Sequence, residues 1–199
     1  MTYDYLTALC IFALVTSITP GPNNLMLMAS GANYGYARSV PHMAGIVAGF
    51  AVLLVLVGFG LFEIFETVPA TYVVLKIVGV AYLLYLAWKI ATAAPPDTVD
   101  EDVGAPMTFF QAALFQWVNP KVWTVCLTAI TIYAPSRSLS AILLLMLVFA
   151  AVTVPSISVW TLMGQRVRNW LTSTLRLRLF NGAMAVLLVA SLYPMVIAS

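Results

Sequence analysis

Apolar residues in this chain gather into six long stretches, separated by short segments that carry most of the prolines and charges. The stretches run from about Tyr5 to Ala29, His42 to Phe65, Ala70 to Ala91, Phe109 to Tyr133, Leu139 to Met163 and Leu179 to Ile197. Each is long enough to cross a hydrocarbon layer as a helix, which takes about 20 predominantly apolar residues. The pattern predicts an all-α integral membrane protein with six transmembrane helices. Pro69 and Pro135 support tight turns at two of the shortest connections. The N-terminus lacks a basic leader and carries Asp4, so the first stretch is read as a retained span rather than a cleaved signal.

Basic residues orient the spans. Arg38, Lys89, Arg166, Arg168, Arg176 and Arg178 fall at the odd-numbered connections, whereas the even connections and the termini carry only Arg137. The bias toward positive charge on the cytoplasmic side then places both termini outside. Tyr3, Tyr5, Tyr133 and Tyr193 fall at the expected outer ends, where aromatic rings favour the interface. The chain reads as one transmembrane domain over residues 1–199. An acidic, proline-containing linker at about 94–107 divides it into halves at about 1–93 and 108–199. Three spans per half force opposite orientations. The halves also echo one another: Pro20 recurs as Pro120, and Gly79-Val80-Ala81 as Gly182-Ala183-Met184 at nearly the same offset. A 3+3 inverted repeat is the expected architecture.

Composition agrees with this reading. Hydrophobic residues make up 62% of the 199 residues and charged residues only 8%, against roughly 25% charged in soluble domains. Such a chain takes the lipid bilayer as its partner. A net charge of +2 argues against nucleic acid. Cys10 and Cys126 lie inside apolar stretches and read as small buried hydrophobes. The linker acids Asp97, Asp100, Glu101 and Asp102 lack a calcium-loop pattern. Gly45 and Gly49, with Ala44 and Ala48, allow close helix contact within the chain or in a homo-oligomer.

Two of the spans are interrupted near their middles. In the first, Thr16, Ser17 and Thr19 lead into Pro20-Gly21-Pro22, and Asn23 and Asn24 follow. A proline inside a helix donates no N–H and clashes with the carbonyl four residues back. Pro20 and Pro22 are therefore expected to free the carbonyls of Thr16 and Ile18, with Gly21 easing the unwinding. In the fourth span Pro120, flanked by Asn119 and Lys121, frees the carbonyl of Gln116. Lys121 lies about 12 residues into its span, or roughly 18 Å at 1.5 Å per residue, near the midplane. Ionisable residues at that depth mark functional sites. Lys76 is a weaker candidate, because its stem reaches toward the interface.

The two halves run oppositely, so the second segments of both broken helices begin at the midplane with their N–H groups and positive dipole ends. With Lys121 they suit a carboxylate, and the freed carbonyls suit an ammonium. A small zwitterion, an amino acid, satisfies both. The substrate-binding residues expected from this are Thr19, Pro20, Gly21, Pro22, Asn23, Asn24, Gln116, Asn119, Pro120 and Lys121, with Thr16 and Lys76 in second rank. The single histidine, His42, is expected at a membrane edge. No metal-ligand cluster, phosphate loop or hydrolase elbow is present in the sequence, and neither catalysis nor a bound cofactor is expected.

These residues carry a resemblance. Thr19-Pro20-Gly21-Pro22-Asn23-Asn24 with Ser30-Gly31-Ala32-Asn33-Tyr34-Gly35, then Tyr82-Leu83-Leu84-Tyr85-Leu86-Ala87-Trp88-Lys89, then Phe115-Gln116-Trp117-Val118-Asn119-Pro120-Lys121 resemble, in order, the LysE/RhtB family of bacterial amino-acid exporters. The resemblance covers the whole chain and is nearer the neutral-amino-acid branch than the lysine branch. It implies a multi-pass inner-membrane secondary carrier that expels small amino acids or their derivatives, driven by the proton gradient. The residues alone leave two alternatives open, a passive channel and an accessory membrane protein that transports nothing.

Overall fold

The computed structural model describes residues 3–61, 63, 67, 68, 70–93 and 105–193. Most of the acidic linker, with Asp97, Asp100, Glu101 and Asp102, lies outside the described residues, as do Phe65, Pro69 and the chain beyond Tyr193.

Every regular element among the described residues is a helix. They are α1 (Tyr3–Ile18), α2 (Pro22–Tyr34), α3 (Tyr36–Gly58), α4 (Ala70–Ala91), α5 (Phe109–Val118), α6 (Pro120–Tyr133), α7 (Leu139–Arg168) and α8 (Thr174–Ala190). Three have the length and apolarity to cross a bilayer alone: Tyr36–Gly58, Val73–Ala91 and Leu139–Arg168. The pair α1–α2, bent by 55° at its break, qualifies as one broken span. The remaining helices are each shorter than a span. The outer surface is studded with large apolar side chains, among them Val73, Ile77, Leu114, Leu147 and Val186. Water would penalise that surface and lipid does not.

The helix boundaries differ from those expected, and local chemistry explains why. The first apolar stretch was expected to end near Ala29, but α2 continues to Tyr34, where Gly35 at φ 82 turns the chain directly into α3. That conformation suits a residue without a Cβ. A second positive φ, 96 at Gly60, follows the end of α3 at Gly58. The fifth stretch runs on past Met163 to Arg168. The sixth begins at Thr174 rather than Leu179, because the Ser173 side chain caps the helix by accepting from the Arg176 N–H.

Helices α1 and α2 lie against the long α7, and α5 and α6 against the long α3. The helix pair α4–α8 flanks them. Glycines set the two closest approaches. A Cβ on Gly31 would meet the Thr161 carbonyl of α7, and one on Gly164 the Met28 carbonyl of α2. On α3, Gly45 faces the Phe109 carbonyl and Gly49 the Ala113 carbonyl of α5. The small residues of the second stretch therefore serve a contact inside the chain.

Gly164→Leu should lose monodispersity in detergent or melt well below the wild type, since overpacking a tight contact costs ~1–3 kcal/mol or more. Gly182→Leu, with nothing within 4 Å of its Cβ position, should melt as the wild type does. Equal melting curves would contradict the close α2–α7 packing.

Candidate functional site

The first break spans Thr19 to Gly21, between the end of α1 and the start of α2 at Pro22. Its backbone carbonyls are nearly all served by the protein itself. Asn24 Nδ2 donates to the carbonyls of Ser17 at 2.8 Å and Thr19 at 2.9 Å. The Thr19 hydroxyl lies 3.3 Å from the Thr16 carbonyl. The indole N–H of Trp160, on α7, donates to the Ile18 carbonyl at 3.0 Å. In the second break the Asn119 N–H reaches the Gln116 carbonyl at 3.4 Å. The carbonyls expected to await a substrate ammonium are thus occupied. Unpaired, each would cost several kcal/mol in hydrocarbon, and side chains close by and across the bundle remove that cost.

The breaks meet. Asn23 and Gln116 form a reciprocal carboxamide pair, Asn23 Nδ2 to Gln116 Oε1 at 2.8 Å and Gln116 Nε2 to Asn23 Oδ1 at 3.2 Å. Lys121 Nζ donates to the Thr19 carbonyl at 2.9 Å and the Thr19 hydroxyl at 3.0 Å. The ammonium therefore lies at the negative end of the α1 dipole. The lysine stem crosses Gly21 so closely that a Cβ there would stand 3.0 Å from Cδ and 3.1 Å from Nζ. Gly21 itself is extended, φ −177 and ψ 175, a conformation open to any residue. It is the passage of Lys121, rather than an unusual backbone angle, that leaves little room for a side chain here.

The helix starts at the two breaks are not alike. At α6, the Asn119 side chain caps the helix by accepting from the Lys121 N–H at 3.2 Å. At α2, the cap position is Gly21, which has no side chain to offer, and Pro22 follows. The N–H groups of Asn23 and Asn24 stand outside the helical ladder, and the first ladder bond runs from Leu25 N–H to the Gly21 carbonyl. Of the two N-termini expected to receive a carboxylate, only that of α2 lacks a side-chain cap.

A cavity of about 60 Å³ lies against this start, room for about four waters at ~15 Å³ each. Its polar side is Thr16, Ser17, Asn23, Asn24, Asn119, Lys121 and Thr153. Ser17 and Thr153 hydroxyls sit 3.0 Å apart. Its apolar side comprises Ile46, Phe50, Val122, Val125, Phe149 and Ile157. Phe50 and Phe149, from the two long helices α3 and α7, pack at 4.9 Å between ring centres. Beyond them Phe12, Tyr133 and Tyr5 continue an aromatic column, and the Tyr5 hydroxyl donates to the Tyr133 carbonyl.

Most of the expected residues thus converge, Thr16, Gly21, Pro22, Asn23, Asn24, Asn119 and Lys121 on the cavity wall, with Thr19 and Gln116 hydrogen-bonded to Lys121 and Asn23 of that wall. Pro20 is exposed and Pro120 half-buried, and neither lines the cavity. Lys76 is not brought to it. Trp160 and Thr153 were not anticipated. Their sequence signal is weak: a tryptophan and a hydroxyl within an apolar span, each needing a polar partner. Among the described residues the salt bridge present is Arg137–Glu63, exposed on the protein surface, and no group of acids, histidines and cysteines gathers to hold a metal.

A second polar cluster was also missed. His42 is only 1% exposed, enclosed by the bundle. Beside it on α2 and α3, the Ser30 and Ser39 hydroxyls lie 2.7 Å apart. Asn33 and Asn181 form another reciprocal carboxamide pair, at 2.9 and 3.1 Å, between α2 and α8.

Residues 14–191 match the family described as LysE type translocator. Three curated relatives, each described as a cysteine/O-acetylserine efflux protein, are 33% identical to the chain over 133 residues, 67% of this chain and 67% of the relative. They come from Escherichia coli (strain K12), Shigella sonnei (strain Ss046) and Shigella flexneri serotype 5b (strain 8401). No solved structure matches the chain.

Trp160→Phe removes the donor to the Ile18 carbonyl while keeping an aromatic ring in place. It should destabilise the protein by about 1–3 kcal/mol, read as a lower melting temperature in detergent. An unchanged melting curve would show that the carbonyl has another partner.

Proposed function

The chain belongs to the LysE-type translocator family, and from that premise we propose that it exports small neutral amino acids of the cysteine and O-acetylserine kind through the cavity at its paired helix breaks. It is a membrane transporter and not an enzyme. The relatives' descriptions support the substrate class.

One observation carries the site assignment. Lys121 is a half-buried cation with no carboxylate facing it among the described residues, beside a helix start that no side chain caps. A positive charge inside the membrane core is costly without a counterion. A substrate carboxylate supplies one, accepting from the Asn23 and Asn24 N–H groups and from the third hydrogen of the Lys121 ammonium. The substrate ammonium finds hydroxyl oxygens at Ser17 and Thr153 and the carboxamide oxygen of Asn23. The Ile46, Phe50 and Phe149 wall takes a short uncharged side chain. The absence of an acid on this wall disfavours a cationic side chain such as that of lysine.

The transport cycle follows from the architecture. In this reading α5–α6 is one broken span and α8 the sixth, giving a 3+3 inverted repeat around the cavity. The reciprocal packing of each broken helix on the other half's long helix supports it. The aromatic column from Phe50 to Tyr5 closes the side on which α1 begins, the outer side by the distribution of basic residues. Exchange of substrate for protons supplies the driving force.

Counterflow of radiolabelled cysteine, kept reduced, in proteoliposomes tests the site. Lys121→Met should lower counterflow roughly tenfold to a hundredfold, the loss of a hydrogen bond to a charged group at about 1.5–3 kcal/mol, and Asn24→Ala should lower it as well, because the Ser17 and Thr19 carbonyls lose the side-chain donor that holds the start of α2 in place. The protein should remain monodisperse. Cysteine methyl ester, which lacks the carboxylate, should not exchange. Normal counterflow in both variants, or brisk exchange of the ester, would contradict the site.

A further inference from the structure

We propose that His42 and the cavity it faces form the proton site of the exchange. The inference rests on the proton-driven reading above and assigns it a residue.

His42 lies in the second turn of α3, after the helix-internal Pro41. Its ring is enclosed, yet neither Nδ1 nor Nε2 has a hydrogen-bond partner. A buried imidazole left this way costs roughly 1–3 kcal/mol, so a partner is called for. The ring borders a cavity of about 50 Å³ between α2, α3 and α4, whose polar wall is Ser30, Asn33, Tyr34 and Lys89. The space holds about three waters at ~15 Å³ each, with polar groups to anchor them. Water there supplies the missing partner and a route for a proton.

The placement suits coupling. His42 precedes Ile46, a wall residue of the substrate cavity, by four residues on one face of α3, about 6 Å along the axis. On α2, Asn23 lines the substrate cavity and Met26 the histidine cavity. The Ser30–Ser39 contact ties α2 to α3 within a turn of His42. A movement of α2 that admits or releases substrate therefore changes the surroundings of the ring.

Titratable neighbours are few. Tyr34 on α2 and Lys89 on α4 line the cavity, and Arg38, one turn before His42 on α3, lies over the Tyr34 ring at 5.6 Å. Helix α5 carries no ionisable side chain. On α6, Lys121 is held at Thr19. On α7, Arg166 and Arg168 lie in the last turn, Arg168 near Gly35. The acids with described positions, Asp4 and Glu63, belong to the opposite end, with Tyr133 and Arg137. Among the described residues, His42 is then the group in this cavity whose ordinary charge change falls near neutral pH. The step is a simple transfer: a ring nitrogen takes a proton from hydronium in the cavity, and the imidazolium later returns it to water there.

Two measurements test the assignment. In proteoliposomes with the membrane potential clamped, one pH unit, acid inside, should drive reduced radiolabelled cysteine up to about tenfold above equilibrium for one-to-one exchange. His42→Gln should abolish that accumulation and leave gradient-free counterflow within about twofold of wild type. Accumulation by His42→Gln equal to wild type overturns this assignment alone. Wild type that exchanges but never accumulates overturns the proton-driven reading and the assignment with it. The second measurement needs no variant, because His42 is the chain's single histidine. After removal of any tag, NMR of protein labelled with 15N-histidine follows its ring alone. Saturating cysteine should move the ring's titration midpoint by about one pH unit to lower pH, a coupling within the usual range. A midpoint indifferent to substrate, or a ring that does not titrate between pH 4 and 9, overturns the assignment.

Discussion

In hydrocarbon a backbone carbonyl or N–H without a partner costs several kcal/mol, and the rest of this structure is arranged around that penalty at Thr19-Pro20-Gly21. Two prolines remove the helical ladder there. Asn24 folds back on the carbonyls of Ser17 and Thr19, Trp160 reaches across from α7 to Ile18, and Lys121 reaches across from α6 to Thr19. The break is therefore a junction at which three helices are fastened. Its fastening draws α6 and α7 to the same depth as the start of α2, and the cavity is the space left between them.

The two breaks share a proline but differ in the side chain at the helix cap. Asn119 caps its own helix, so α6 begins with its N–H groups spoken for. Gly21 offers nothing, so α2 begins open. Lys121 passes closely over that glycine. One residue thus clears the path for the cation and leaves the helix start uncapped beside it. Positive potential concentrates at one point, next to hydroxyls and an apolar wall, which suits the head group and short side chain of a small amino acid.

The breaks themselves were legible in the sequence, because a proline's missing N–H is a local fact. So were Asn23, Asn24, Asn119 and Lys121, polar residues in apolar surroundings. What satisfies the freed carbonyls was not legible. Trp160 lies far along the chain from Ile18, and only the packing of α1 and α2 on α7 brings them together. The symmetric pair of open helix starts was wrong for a similar reason: a cap depends on whether a side chain turns back, which Asn119 does. The enclosure of His42 within the bundle was not legible either. The turn at Gly35 is a single residue long, so α3 starts earlier and carries His42 into the bundle.

In the proposed binding mode the uncapped start of α2 and Lys121 together receive the substrate carboxylate. An experimental structure with cysteine or O-acetylserine bound tests it most directly. The carboxylate is expected within hydrogen-bonding distance of the Asn23 and Asn24 N–H groups and of Lys121 Nζ, with the side chain toward Phe50 and Phe149. A carboxylate bound elsewhere, with Lys121 still held at Thr19 and making no contact to it, would contradict the claim.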